Sequence, residues 1–303
     1  MEKDRSAITF GSCIQWAAKL NAESVRIRKY IEKFTVPILG TFTDSKPDPS
    51  EEKKMFLGSG VLLELFDCHF VITAGHCAES CTLAQRIYFG NSSASEIINI
   101  AHRYNWEKQG HEADDSRDWG YLRIDGAEFA RAYDKRFLSN ENLVVMTPPD
   151  LQKVARAAII AGFQRDVAAH GEAIEPQFLQ LVGLMEGCGI DLPEDRMFKA
   201  TGIYTLISEE LNFFAANLIA HSGQIWRQGI SGGGVWIPGP ERLDLSLAAI
   251  TVAGNTYSRL SCAIAIGYVL RMICARESIP GLRGDILTRW PILAQEENWA
   301  LFV

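Results

Sequence analysis

Val71-Ile72-Thr73-Ala74-Gly75-His76-Cys77 decides how the chain is read: an apolar, β-branched run stops at Ala-Gly and delivers a histidine and a cysteine at its end. Runs of that kind favour strands, and glycine punctuates them. Working outward, residues 35–42, 55–65, 69–73, 85–89 and 119–124 are short apolar runs separated by Gly, Pro, Asn and Asp, the pattern of consecutive strands. Residues 157–163, 178–184, 198–206, 213–221, 234–237, 245–253 and 262–266 repeat it with β-branched and aromatic residues. The reading is two all-β halves. Before them, Trp16, Leu20, Ile27, Ile31 and Phe34 recur at helical spacing with Lys19, Glu23, Arg26 and Lys33 between, which predicts an amphipathic helix within residues 13–34. Residues 268–276 look helical, and residues 278–303, with Pro280, Gly281, Gly284 and Pro291, read as an irregular tail.

At 303 residues, 47% of them hydrophobic and 22% charged, the chain can bury one or two cores without disulfides or metals. Thirty Lys and Arg against 37 Asp and Glu give a formal charge of −7, which argues against a phosphate-binding surface and a polybasic membrane patch. Neither nucleic acid nor membrane is an expected partner. Seven cysteines, at 13, 68, 77, 81, 188, 262 and 274, are odd in number and scattered, unlike the dense framework of a small secreted domain. The chain opens Met1-Glu2-Lys3-Asp4-Arg5, and its first apolar stretch is broken by Thr9, Ser12 and Gln15, a poor secretion signal. Residues 262–270 are too few to cross a bilayer. A cytoplasmic protein with reduced thiols is the expectation.

Two further segments join the first: Asp118-Trp119-Gly120-Tyr121-Leu122-Arg123-Ile124 and Gly229-Ile230-Ser231-Gly232-Gly233, each at the start of an expected strand. Nucleophilic acyl transfer needs a serine whose proton an imidazole can take, and an acid that fixes the imidazole's tautomer and stabilises its charge. These segments supply one of each. Gly229-Ile230-Ser231-Gly232-Gly233 also fits the G-x-S-x-G elbow of α/β-hydrolases, but there the histidine follows the serine, and no histidine follows His221. Asp114 and Asp115 lie near Asp118, yet only Asp118 opens an apolar strand.

With a T-A-[AG]-H-C segment, then D-[IVW]-[AG]-x-[LV], then G-x-S-G-G, the chain resembles the trypsin/chymotrypsin-like serine proteases over roughly residues 34–277. The resemblance implies two six-stranded antiparallel β-barrels, a first over 34–135 and a second over 136–277, flanked by a helical extension (1–33) and a tail (278–303). It implies a serine endopeptidase without cofactor or metal, acting on protein or peptide substrates. His76 would be general base and acid, Asp118 its orienter and Ser231 the nucleophile, with the amides of Gly229 and Ser231 as oxyanion hole. Ile225, Gln228, Val252, Ala253 and Gly254 fall where the family binds substrate. An aliphatic floor at Ile225 disfavours Lys or Arg before the scissile bond. His221 and Arg227 either recognise an acidic residue or are structural.

Departures from the family pattern carry information too. The cysteine after the family's catalytic histidine usually pairs with one on the preceding strand, which here reads Gly58-Ser59-Gly60-Val61, with no cysteine. The family's aspartate before the nucleophile, partner of a newly cut N-terminus, is replaced by Ile230, which cannot hold an ammonium group. Cys68, His69, His76, Cys77 and Cys81 offer soft ligands, but adjacent His76-Cys77 is not the spacing of a structural zinc site. A different class of reading is a catalytically silent module of the same fold that binds or scaffolds. The apolar N-terminal helix and the tail, rich in Trp290, Ile292, Leu293, Trp299, Leu301, Phe302 and Val303, either clad the barrels or form a surface for a regulatory protein partner.

Overall fold

A computed structural model describes residues 15–42, 54–103, 118–151, 157–164, 176–185, 202–207, 229–239, 244–255 and 260–295, apart from 17, 21, 91, 94–96, 126–129, 131–133 and 148–149. The chain is mostly β, with two antiparallel sheets and a few helices. The first sheet is built from β1 (Thr35–Thr41), β2 (Met55–Leu65), β3 (Cys68–Thr73), β4 (Arg86–Phe89), β5 (Ser92–Ser93), β6 (Ile97–Arg103) and β7 (Trp119–Ile124), in the order β5-β4-β1-β2-β3-β7-β6. The second, of β8 (Ala157–Gln164), β9 (Gln177–Met185), β10 (Gly202–Ile207), β11 (Gly234–Pro238), β12 (Leu245–Asn255) and β13 (Leu260–Ala265), closes as β10-β13-β12-β11-β8-β9.

The local chemistry explains the turns. Phe66 and Asp67, at φ 48° and 66°, form a two-residue hairpin between the paired Leu65 and Cys68, the left-handed geometry that matches the twist of the flanking strands. β1 is buried along its whole length, as a strand covered on both faces must be. Inside the first sheet Val36, Ile38, Leu62, Val71, Ile87, Phe89, Leu122 and Ile124 pack together, while the alternate residues Val61, Leu63, Ile72 and Tyr121 join the larger core shared with the second sheet. A connecting segment crosses between the sheets: Leu138 bridges to Leu63 of β2 and Leu143 to Leu247 of β12.

Sequence expectation and structure part in four places. The first sheet has seven strands rather than six, and among the described residues β4 and β6 are not paired. Between them lies an open groove of about 690 Å³ lined in part by Ile87, Ile97, Ile98 and Ile100. β6 itself escaped the strand pattern because its only buried residue is Ala101, so it does not alternate. The segment after β3 is a helix, α2 (Gly75–Leu83), which buries Cys77, Ala78 and Cys81 at helical spacing. Finally, the tail is ordered through helix α4 (Leu282–Arg289), entered at Gly281 with φ 83°, and a 3-10 turn at Pro291–Ala294. Pro280 and Gly281 mark a helix start rather than irregular chain. The expected strand at 213–221 lies outside the described residues.

Helix α1 (Ser24–Ile31) docks on the sheets: Leu20, Ile27 and Ile31 are buried, and Tyr30 and Phe34 stack edgewise with centroids 5.1 Å apart, Phe34 lying 6.1 Å from Trp236 of β11. Lys135 donates to the Glu32 carbonyl at 2.6 Å. Helix α3 (Ile266–Arg276) and α4 cover the other end, burying Leu270, Ile273, Leu282 and Ile286. Among the described residues no helix is long and apolar enough to cross a membrane.

Candidate active site

Antiparallel pairing of β3 with β7 sets Thr73 opposite Gly120. The residues just beyond each strand end, His76 and Asp118, are therefore delivered to the same edge. Asp118 is buried, and it accepts the His76 backbone N–H on Oδ1 at 2.8 Å and Nδ1–H of the ring on Oδ2 at 2.7 Å. This fixes the neutral ring with its proton on Nδ1 and leaves Nε2 as the acceptor. Gly75 makes room for the carboxylate, since a Cβ there would lie 2.8 Å from Asp118 Oδ1 and 2.9 Å from the Trp119 carbonyl.

The second component is the turn that enters β11. Gly229 and Gly232 have φ 104° and 84°, a region that favours glycine. A Cβ on Gly232 would also strike the Ser59 carbonyl and Thr73 Oγ1, and one on Gly233 the Ala161 carbonyl. Ser59 and Thr73 belong to the first sheet and Ala161 to the second, so the glycines of Gly229-Ile230-Ser231-Gly232-Gly233 let the Ser231 turn wedge between the sheets. Ile230, fully buried, packs its side chain beside Gly162 of β8.

The first three carbonyls of that turn each have a donor. Ser59 Oγ donates to the Gly229 carbonyl at 3.0 Å, Gly233 N–H to Ile230 at 2.8 Å, and Ser59 N–H to Ser231 at 2.8 Å. Among the described residues the amides of Gly229 and Ser231 have no acceptor. Two donors free beside a serine are what a tetrahedral oxyanion requires.

Ser231 and His76 are brought to one place by Cys77, whose Sγ donates to the Ser231 carbonyl at 3.8 Å. The Ser231 hydroxyl donates to the Val252 carbonyl at 3.3 Å, and no direct Ser231–His76 hydrogen bond is made. Burial alone would lower the pKa of His76, but the Cys77 sulfur and the Asp118 carboxylate outweigh it and raise it above the ordinary histidine value. Cys77 is buried and free, as are Cys68, Cys81 and Cys274 free, and the residue facing Cys77 is Gly58, where a Cβ would meet its sulfur.

Val252 is buried on β12, and Ala253 and Gly254 continue that strand opposite Cys262 and Ser261. Ile225, Gln228, His221, Arg227, Asp114 and Asp115 lie outside the described residues. Among the described residues no three His, Cys, Asp or Glu side chains converge as metal ligands. Sequence reasoning missed Ser59 and Thr73, which hold the turn. Their signal was the pair of glycines bracketing Ser59 inside an apolar strand, a mark of close backbone approach.

The chain matches no protein-family model and no curated protein.

Proposed function

We propose that this chain is a serine endopeptidase of the trypsin/chymotrypsin-like kind, its two sheets corresponding to that family's double β-barrel. One arrangement carries the reading: a buried carboxylate orienting a histidine beside a serine whose own turn has two amides without an acceptor among the described residues. In this mechanism Ser231 Oγ attacks the scissile carbonyl carbon while His76 Nε2 takes its proton. Asp118 stabilises the resulting imidazolium, and the Gly229 and Ser231 amides receive the oxyanion. Collapse of the tetrahedral intermediate expels the amine, which takes the proton from His76 and leaves an acyl-enzyme on Ser231. Water, deprotonated by the same ring, attacks the acyl carbon, and His76 returns that proton to Ser231 Oγ as the acid leaves. No step calls for a cofactor. Four free cysteines, with glycine facing Cys77, support a reducing, cytoplasmic setting.

The alternative, a catalytically silent binding or scaffolding module, draws on one observation: the Ser231 hydroxyl is turned to Val252 rather than to the His76 ring. The endopeptidase reading requires the hydroxyl to turn to His76 Nε2, and hydrogen bonds of this kind often tighten only with substrate bound. A fluorophosphonate probe on the purified full chain, followed by digestion of a peptide library, decides between them. The endopeptidase is labelled at Ser231, not labelled as Ser231→Ala, and cleaves peptides. A folded protein that is neither labelled nor active sinks the reading.

A further inference from the structure

Ser59 is fully buried on β2 at the junction of the two sheets, and all of its polar atoms are engaged there. Its N–H holds the Ser231 carbonyl, and its own carbonyl accepts from Thr73 Oγ1 at 2.6 Å. Its hydroxyl accepts from the Phe163 N–H at 2.7 Å. That hydroxyl has one proton to give, and the Gly229 carbonyl, at 3.0 Å, is a nearer acceptor than the Phe163 carbonyl, at 3.3 Å. One side chain from the first sheet thus ties β8 of the second sheet to the turn that carries the nucleophile. Neighbouring Gly162 leaves room for it: a Cβ there would lie 2.9 Å from Ser59 Oγ and 3.1 Å from the Ile230 side chain.

The peptide that Ser59 Oγ pins, between Gly229 and Ile230, lies between the two amides that face a developing oxyanion. Turning it over would change their spacing and direction. The next peptide is held separately, by Gly233 N–H on the Ile230 carbonyl, and the one after by Ser59 N–H on Ser231. Ile230 adds only apolar packing, so no charged group locks the turn from within.

Resting on the endopeptidase reading, we propose that the Ser59 hydroxyl is a positioning residue for the oxyanion hole. Through the Gly229 carbonyl it keeps the Gly229 and Ser231 amides in their working geometry. Ser59 touches neither substrate nor proton. Its removal lowers the rate of the chemical step and leaves the affinity for probe and the pH dependence set by His76 unchanged.

The test follows fluorophosphonate labelling of the full-length wild type, Ser59→Ala and Ser231→Ala, against probe concentration and pH. The expected result for Ser59→Ala is a maximal labelling rate lower by about 10- to 100-fold, toward the loss seen when one oxyanion donor is removed. The half-saturating probe concentration stays within twofold, and the pH midpoint is that of the wild type. A maximal rate within twofold of wild type overturns the proposal, even if the protein melts earlier, because the hydroxyl is then merely structural. So does a shifted pH midpoint, which would place the effect on His76. If Ser59→Ala does not fold, Ser59→Cys, of similar size and weaker donor strength, takes its place under the same criteria; failure of both to fold makes the hydroxyl a folding element and overturns the proposal. A folded wild type not labelled at Ser231 defeats the endopeptidase reading itself, and this inference with it. A labelled wild type with an equally fast Ser59→Ala defeats this inference alone.

Discussion

Asp118 grips His76 twice, taking the backbone N–H on one carboxylate oxygen and the ring Nδ1–H on the other, at 2.8 and 2.7 Å. One buried side chain thereby fixes both where helix α2 begins and which nitrogen of the ring faces outward. Asp118→Asn keeps the shape and has one accepting oxygen, so one of the two bonds fails, and the negative charge that would stabilise an imidazolium is gone. Peptide turnover is expected to fall by roughly 10³- to 10⁴-fold with the far-ultraviolet circular dichroism unchanged. A loss below tenfold in a folded variant would falsify the pairing of Asp118 with a catalytic ring.

The pH dependence follows from the direction of the His76 shift. Burial pulls its pKa down, Cys77 and Asp118 push it up, and the result is raised. Activity needs the neutral ring, so the acid limb should have its midpoint above the unperturbed value of about 6.5, with activity still climbing through neutral pH. Stability runs the other way. A folded-state pKa above the unfolded one contributes stability that is complete below about pH 6.5 and is lost as pH rises through the folded value. Labelling rate and melting temperature measured from pH 5 to 9 test both; a labelling midpoint at or below 6.5 contradicts the geometry.

Gly232→Ala tests the wedge between the sheets. The added methyl would occupy the space of the Ser59 carbonyl and Thr73 Oγ1, at a φ of 84° that a β-carbon tolerates poorly. Loss of about 1–3 kcal/mol from backbone strain alone is expected, and displacement of Ser231 should abolish labelling. Retained labelling at more than a tenth of the wild-type rate would mean that the turn can move without harm.

Much of this was legible in the sequence, and the reasons differ by element. β2 and β7 were readable to the residue because both are almost continuously buried apolar runs bounded by turn residues. The meeting of His76 and Asp118 was readable because both stand at strand ends, and β3–β7 pairing needs only the strand order to bring them together. Helix α2 was hidden behind the same motif: its nine residues, Gly-His-Cys-Ala-Glu-Ser-Cys-Thr-Leu, have little amphipathic contrast. Ser59 was invisible as a functional group because its partners are backbone atoms 104 and 170 positions away, and only tertiary structure supplies them. The open edge between β4 and β6 was equally hidden, since strand counting says nothing of which edges pair.

The docking of helix α1 makes the segment just before β1 part of the core. Leu20, Ile27 and Ile31 are buried, and the Tyr30–Phe34–Trp236 group links the helix to β11 just beyond the Ser231 turn. Deleting residues 1–33 should expose that surface, at about 1.5–3 kcal/mol for each large side chain uncovered. The expected product is insoluble or melts well below the full chain. A soluble product of unchanged melting temperature with faster peptide cleavage would show instead that the helix inhibits.

Glu277 couples the other end of the molecule to the strand that carries Asp118. Its carboxylate, 2% exposed, accepts from Tyr121 Oη at 2.9 Å, Asn99 Nδ2 at 2.7 Å and Arg123 Nη1 at 3.1 Å, joining the end of helix α3 to β6 and β7. Burial first, and then this carboxylate, keep the Tyr121 hydroxyl protonated by raising its pKa. Glu277→Ala would strand a buried hydroxyl, an amide and a guanidinium without their acceptor. Removing one member of a buried ion pair destabilises by about 3–5 kcal/mol, and the partly exposed Arg123 puts this case near the lower end. A drop of roughly 6–12 °C in melting temperature follows at the 2–4 °C per kcal/mol usual for larger domains. Glu277→Gln, which still accepts from Tyr121 and Asn99 but carries no charge for Arg123, should lose about half as much. The labelling rate of Ser231 at 20 °C should stay within twofold in both, because no polar contact runs from Glu277 to the Asp118–His76 pair. Melting within 2 °C of wild type for Glu277→Ala would show the network to be dispensable. A large fall in labelling without a fall in melting temperature would show instead that β7 transmits the state of Glu277 to Asp118.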